Sequence, residues 1–294
     1  MSVSRFVLSL VVAGALLGGC AKPVSPEPRL ADTAKLDPIA TSAFVSPAVA
    51  RMEQPLPREI FSPRNIAGRT LAVASTSDIV LKPGEVVLTF DDGPRVGKTS
   101  VILDTLDDYG VKATFLMLGS AAKANPRLAQ QVAQRGHAVG SHTYGHVDLS
   151  KLTRQEAINE IVKGEEAVAA ALEGSGRAAA PFFRFPYLSQ TGFLRTNLLQ
   201  SGAVVLDVDI DSKDYYRDSA AVVAQRTIAR LDARGSGIIL FHDIHQRTVD
   251  MLPAFLDQLA KKGYTVVRLV PRNGNIFGRD LITAGMADES AEQL

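Results

Sequence analysis

Short apolar runs alternate with amphipathic stretches through the middle of this chain, and no other feature constrains the fold as strongly. Strand-like runs lie near 86–90, 113–118, 137–141, 182–186, 203–210, 237–242 and 264–269, with helical periodicity between them. Asn125-Pro126 puts proline in the first turn of one helix, and Arg135-Gly136 ends it. Thr153-Arg154-Gln155-Glu156 is a capping box leading into Ala157, Ile158, Ile161, Val168 and Leu172. A helix from Asp218 to Arg234 stops at Gly235, and another through Met251, Leu252, Phe255, Leu256 and Leu259 stops at Gly263. Pro253 suits that last helix only in its first turn, because proline has no N–H to donate farther in. Regular strand–helix alternation implies a parallel sheet covered by helices. The runs are too few for a regular eight-stranded barrel. The expected fold class is therefore α/β, an irregular (β/α)7-type barrel of parallel strands.

The flanks read differently. Residues 1–19 have the form of a lipoprotein signal peptide: Arg5 supplies the positive region, and Phe6 to Leu17 is apolar but too short to span a bilayer. Leu17-Gly18-Gly19-Cys20 resembles a bacterial lipobox, with Cys20 as the lipidation site; an ordinary secretory signal with an incidental cysteine is the alternative. Cys20 is the only cysteine, which excludes an intrachain disulfide framework and a thiolate zinc cluster. Residues 20–70 read as a lipidated, Pro-rich tether, since eight of the fifteen prolines fall within 21–63. Thr70 to Ala74 has the character of an extra strand. The catalytic domain is assigned to 71–272 and a C-terminal tail to 273–294. Beyond the signal, Lys+Arg and Asp+Glu balance at 31 each, so no basic excess points to nucleic acid.

In parallel α/β folds, chemistry gathers at the carboxyl ends of the strands. Here Asp91-Asp92 closes the first run, His142 the third, Arg184 to Tyr187 the fourth, Asp211 the fifth and His242-Asp243 the sixth. Taken alone, Asp91-Asp92-Gly93-Pro94 is as readily a turn, and His142-x-x-x-His146 is a weak signal. Together they offer one carboxylate and two imidazoles for a metal, with a second carboxylate left over as a general base. His137 reads as a structural residue at the start of a buried strand, and His245 as an exposed loop residue, with a substrate contact or a pKa partner as the alternative.

On these residues the chain resembles the polysaccharide deacetylases of carbohydrate esterase family 4, the NodB-homology domain. The resemblance runs from about Val86 to Val270. It includes Lys112-Ala113-Thr114-Phe115-Leu116 and Gly136-His137-Ala138-Val139-Gly140-Ser141-His142, and further motif regions follow in order. It implies that Asp92, His142 and His146 ligate a divalent metal, zinc first, with Co2+, Ni2+ or Mn2+ as other candidates. It makes Asp91 the general base, oriented by Arg184, and His242 the acid that protonates the departing amine. Asp211 would raise the basicity of His242 by hydrogen bonding. The Tyr187 backbone N–H would help hold the oxyanion, Leu240 would line a slot for the acetyl methyl, and Tyr215 would shape the substrate wall. Two departures stand out: Leu188 follows Tyr187 where the family usually has glycine, and Tyr215 stands where it commonly has tryptophan. The chain has no tryptophan at all.

A set of two histidines and one carboxylate also describes non-haem iron oxygenases, but the βα alternation, the extra Asp91 and an acid at His242 argue against that class. A non-catalytic carbohydrate-binding lipoprotein would be expected to have lost the base or a ligand, and none is missing. De-O-acetylation of an acetylated polysaccharide keeps the same machinery and stays open. The expected protein has no nucleic-acid partner and is a monomeric, metal-dependent enzyme that removes N-acetyl groups from N-acetylglucosamine-containing polysaccharide. Peptidoglycan and exported poly-N-acetylglucosamine are both candidate substrates. The expected location is the outer membrane of a Gram-negative cell, anchored through Cys20 and facing the periplasm, with a Gram-positive surface as the alternative.

Overall fold

The computed structural model of the protein describes residues 65–272. The expected signal peptide and lipidation site at Cys20, nearly all of the expected tether and the expected tail after 272 lie outside those residues. Among the described residues no helix is long and apolar enough to cross a membrane.

Among the described residues nine strands, all paired in parallel, make a nearly closed barrel. β2 (Glu85–Asp91) pairs with β3 (Thr114–Met117), followed by β4 (Ala138–Ser141), β5 (Phe182–Phe183) and β6 (Val204–Val205). On its other edge β2 pairs with β8 (Gly237–His242), which also pairs with β7 (Ile210–Asp211). The single run expected over 203–210 is thus two short strands. Leu206 N–H still bonds Phe183 O at 2.8 Å, but Asp209 N–H bonds Ile238 O at 3.0 Å. The chain leaves one neighbour for the other across Asp207 and Val208, and this crossing brings the ring close to closure.

The last expected strand, β9 (Thr265–Pro271), meets β2 only at Glu85 and Val86. Its main partner is β1 (Ala67–Val73). Val73, Val267 and Leu269 from this pair share an apolar cluster with Val87, Leu116, Phe182, Val204 and Ile238, and so plug the amino-terminal mouth of the barrel. The domain consequently begins before residue 71: β1 starts at Ala67, and Val266 N–H bonds Ile66 O at 2.8 Å. The extra strand expected at Thr70 to Ala74 is the second half of β1, but Ala67-Gly68-Arg69 carries no apolar alternation, so the local sequence holds no sign of the earlier start.

The helices form as their punctuation predicts, with two adjustments. α1 (Thr99–Asp108), α2 (Gly119–Ala124), α3 (Pro126–Gln134), α4 (Arg154–Leu172), α5 (Gly192–Gln200), α6 (Ala220–Arg234) and α7 (Gln246–Lys262) surround the strands. Pro126 occupies the first turn of α3, and the capping box between Thr153 and Glu156 is present. α6 is capped by Ser219, whose side chain accepts from Val222 N–H, rather than by Asp218. α7 begins at Gln246, so Pro253 lies mid-helix and not in the first turn. Burial of Leu252, Phe255, Leu256 and Leu259 holds the helix together despite a local cost of about 3 kcal/mol.

Strand alternation sorts β2 into two sets. Val86, Leu88 and Phe90 pack outward against the helices, in one cluster with Leu103, Leu106, Phe241 and Phe255. Val87 belongs to the inner cluster. Thr89 and Asp91 share its face and bring polar groups into the upper barrel. α4 reaches the same rim at Gly164, where a Cβ would stand 2.3 Å from the carbonyl carbon of Thr143. That contact supports the loop between His142 and His146. Gly164→Ala is therefore expected to destabilise the domain by about 1–3 kcal/mol in urea unfolding, and to lower metal retention on dialysis alongside.

Candidate active site

The loop after β4 carries both histidines and is held from three sides. The first N–H groups of α2 bond it, Gly119 to Thr143 O at 2.9 Å and Ser120 to Tyr144 O at 3.1 Å. Glu160 accepts from Gly145 N–H at 2.5 Å, and Lys163 lies 3.9 Å over the Tyr144 ring. Thr143 (φ 70°) and His146 (φ 59°) take left-handed conformations, which non-glycine residues adopt at a cost. Asp92 (φ 75°), Tyr187 (φ 58°), Leu188 (φ 55°) and Lys213 (φ 56°) do the same in the loops after β2, β5 and β7.

These loops bring Asp92, His142 and His146 together, with ligand atoms within 4.8 Å of one another. Asp92 Oδ1 lies 3.6 Å from His142 Nε2 and 3.4 Å from His146 Nε2. It is buried and has no hydrogen-bond partner. A buried anionic oxygen without a donor, facing two imidazole nitrogens, fits a divalent cation. The tautomer agrees: His142 Nδ1 is 2.8 Å from the Arg184 carbonyl, which can only accept, so Nε2 is the nitrogen with a free lone pair. Burial pulls the His142 pKa down and favours the neutral, ligating ring.

Asp91 sits beside this triad but is held by other groups. Arg184, 1 % exposed, donates from Nη1 to Asp91 Oδ1 and to Thr89 Oγ1, both at 2.8 Å, and from Nε to Leu206 O at 3.0 Å. Thr89 Oγ1 in turn donates to Ile239 O at 2.7 Å. One guanidinium therefore links β5 to β2 and to the β6–β7 crossing. Asp91 Oδ2 is left facing the histidines, 3.8 Å from His142 Nε2.

His242 stands directly across from Asp91 in the β2–β8 register. Its partner is Asp214, and this corrects the sequence-based expectation of Asp211. Asp214 Oδ1 is 2.7 Å from His242 Nδ1, and Oδ2 accepts from His242 N–H and Thr248 Oγ1, both at 2.7 Å. The register explains the difference: Asp211 is level with Leu240, two residues short of His242. The turn through Lys213 then carries Asp214 up to the imidazole. Asp211 instead accepts from Lys213 N–H at 2.9 Å and from Tyr215 Oη at 2.8 Å. Burial lowers the His242 pKa, but the Asp214 hydrogen bond and charge outweigh it, with Asp91 and Asp92 adding to the rise, and hold the group at about 9.

The cleft above these groups has a volume of about 420 Å³. Asp91, Asp92, His142, His146 and His242 line it, as do the predicted Tyr187, Asp211, Tyr215 and Leu240. Tyr187 is 66 % exposed, with its ring 4.5 Å from that of His146. The turn there closes through Leu188 N–H to Phe185 O and Ser189 N–H to Pro186 O, leaving the Tyr187 N–H out of both bonds. Phe185, Leu188 and His245 also line the cleft. His245 is thus half-buried at the site, 5.7 Å from His242 ring to ring, rather than exposed in a loop. Cys20 lies outside the described residues.

Two supporting residues were missed. Asp243 is fully buried, pushed up to about 7 by burial, and accepts from Thr99 Oγ1 at 2.5 Å. A Cβ at Gly93 would stand 2.1 Å from Asp243 Oδ2, so glycine after Asp92 makes room for a second carboxyl beneath the site. The signal was present as His242-Asp243, but nothing local links it to Gly93.

Asp214→Asn is expected to drop the His242 pKa well below 9, and Asp211→Asn to leave it nearly unchanged, in an NMR titration of the imidazole. The sign for stability follows. A folded pKa above the reference 6.5 contributes stability that is full below 6.5 and lost as pH rises through about 9. The stability gap between wild type and Asp214→Asn should therefore narrow between pH 6 and pH 10.

Comparison with known proteins agrees with this geometry. The family profile described as polysaccharide deacetylase matches residues 79–205. The peptidoglycan-N-acetylglucosamine deacetylase PgdA of Listeria monocytogenes is 35 % identical over 185 residues, covering 63 % of this chain. This chain spans only 38 % of that protein's length. A chitin deacetylase of Colletotrichum lindemuthianum is 33 % identical over 214 residues, covering 69 % of this chain and 84 % of its own. Among solved structures, the Bdellovibrio bacteriovorus peptidoglycan deacetylase Bd3279 superposes with a TM-score of 0.61 at 34 % identity, over 71 % of this chain and 58 % of that one. With matches of this extent falling on the domain that holds the site, the chain belongs to the polysaccharide deacetylase family.

Proposed function

We propose that the protein is a metal-dependent N-deacetylase that converts N-acetylglucosamine residues of peptidoglycan to glucosamine, releasing acetate. One observation carries the reading: an arginine-held carboxylate and an aspartate-held imidazole face each other across a triad suited to a divalent cation. Relatives named as peptidoglycan deacetylases support the choice of polymer.

Asp92, His142 and His146 would hold the metal, zinc by donor type. Such an ion would supply Lewis-acid chemistry, polarising an acetyl carbonyl and lowering the pKa of a water. Asp91 Oδ2 is the atom placed to take a proton as general base, because Oδ1 is engaged by Arg184 and cannot swing away. The Tyr187 N–H faces the carbonyl oxygen as negative charge develops on it. His242, protonated through its bond to Asp214, gives its Nε2 proton to the amide nitrogen as the C–N bond breaks. An amine leaves poorly without that proton, so an imidazolium held at about 9 suits an amide more than an ester. Leu240 packs by the acetyl methyl, and Tyr187 and Tyr215 offer rings to the sugar.

The purified protein should release acetate from N-acetylglucosamine polymers and lose that activity on chelation. Asp91→Asn should retain metal by elemental analysis while turnover falls about 10²–10⁴-fold; full activity in this variant would remove Asp91 from the mechanism. A panel of peptidoglycan, chitin oligomers, poly-N-acetylglucosamine and acetylxylan tests the substrate, and a preference for acetylxylan would favour the esterase alternative.

The export signal supports a second part of the proposal: a lipoprotein anchored through Cys20, at the outer membrane and facing the periplasm. Cys20→Ser should abolish labelling by a palmitate analogue and move the protein to the soluble fraction.

A further inference from the structure

His242 and Asp243 follow one another at the end of β8, and each is linked to a threonine in the first turn of a helix. Asp214, the partner of His242, accepts from Thr248 Oγ1 in α7. Asp243 accepts from Oγ1 of Thr99, the first residue of α1, at 2.5 Å. The first link holds the acid. The second takes no part in either proton transfer, yet Thr99 and Asp243 both have no exposure at all.

A threonine hydroxyl has one proton to give and lone pairs with which to accept. Thr99 gives its proton to Asp243 and accepts the Arg95 N–H at 2.7 Å. Arg95 lies three residues after Asp92, so one hydroxyl ties the turn 92–95 to the end of β8. Gly93, inside that turn, lies against the same carboxyl so closely that a Cβ would stand 2.1 Å from Asp243 Oδ2. The start of the turn is fixed to β3 by the bond from Asp92 N–H to Leu116 O at 3.2 Å. Asp92 therefore takes its left-handed conformation, φ 75°, in a segment gripped by β3 before it and by Asp243 after it.

The pairing of β2 with β8 runs as far as Asp91 opposite His242 and stops there. One residue later the ladder no longer sets Asp92 relative to His242, and the Asp243–Thr99–Arg95 link spans that gap. We propose that Asp243 and Thr99 are positioning residues, which set the aim of Asp92 and its spacing from His242. The roles of those two groups rest on the deacetylase reading. Simple packing needs only the volume of Thr99, whereas positioning needs its hydroxyl. Thr99→Val keeps the shape without the hydroxyl, and Thr99→Ser keeps the hydroxyl without the methyl.

The test uses the full chain, stripped of metal and titrated with zinc against a chromophoric chelator. Acetate release from chitin oligomers is then measured at saturating zinc, and urea unfolding of each metal-free variant confirms that it is folded. Thr99→Val should bind zinc about 10–100-fold more weakly than wild type. With zinc saturating, its kcat should stay at least about tenfold down at little-changed KM, because the ligand and the acid are misplaced relative to each other. Thr99→Ser should stay within about twofold of wild type in both measurements. Thr99→Ala, which presses no methyl on the carboxyl, replaces the valine variant if that one does not fold, with the same losses expected. Wild-type zinc affinity and kcat in a folded Thr99→Val or Thr99→Ala would overturn the proposal, as would equal losses in the serine and valine variants. A wild-type protein that binds zinc but releases no acetate would sink the deacetylase reading and leave the zinc comparison to decide this one; a wild-type protein that binds no zinc would overturn both.

Discussion

The guanidinium of Arg184 inside the barrel is the contact on which the site depends. It reaches Asp91 and Thr89 on β2 and the carbonyl of Leu206 at the start of the crossing to β7. A buried ion pair adds little net stability by itself, but removing one partner leaves an uncompensated charge and costs about 3–5 kcal/mol. The arrangement therefore makes correct assembly of the barrel and correct aim of the carboxylate a single event. Thr89 extends it to β8 through Ile239 O, so the strands that carry Asp91 and His242 are bonded through one hydroxyl.

Around that contact the site divides its charges by partner. Asp91 faces a permanent cation and stays fixed in direction. His242 faces Asp214, a carboxylate with no exposure that also receives Thr248 and a backbone N–H. Asp92 has no hydrogen-bond donor on Oδ1. Three acids and a histidine gathered at one end of the barrel thus differ in what each one touches, and not only in residue type.

Much of this was legible in the sequence. Asp91, Asp92, His142, Arg184 and His242 stand at strand ends, with His146 in the loop that follows one of them, and the parallel sheet turns that linear position into a shared rim. Helix ends such as Pro126, the Thr153 box, Gly235 and Gly263 were equally clear, because capping chemistry is local. What was hidden depends on register or on distant partners. Asp211 and Asp214 both precede β8, and only the pairing of Asp211 with Leu240 shows which one reaches His242. β1 owes its existence to β9, and the glycine at 93 to Asp243. The placement of His245 follows from where α7 begins, which Pro253 obscured.

Among the described residues, every non-glycine residue with positive φ lies in a loop that borders the cleft. Conformations of this kind cost of order 1 kcal/mol or more each and persist only where the surroundings dictate them. On the proposed reading the rim is accordingly set before a sugar arrives, and a polymer meeting it would lose its own freedom without also having to order these loops.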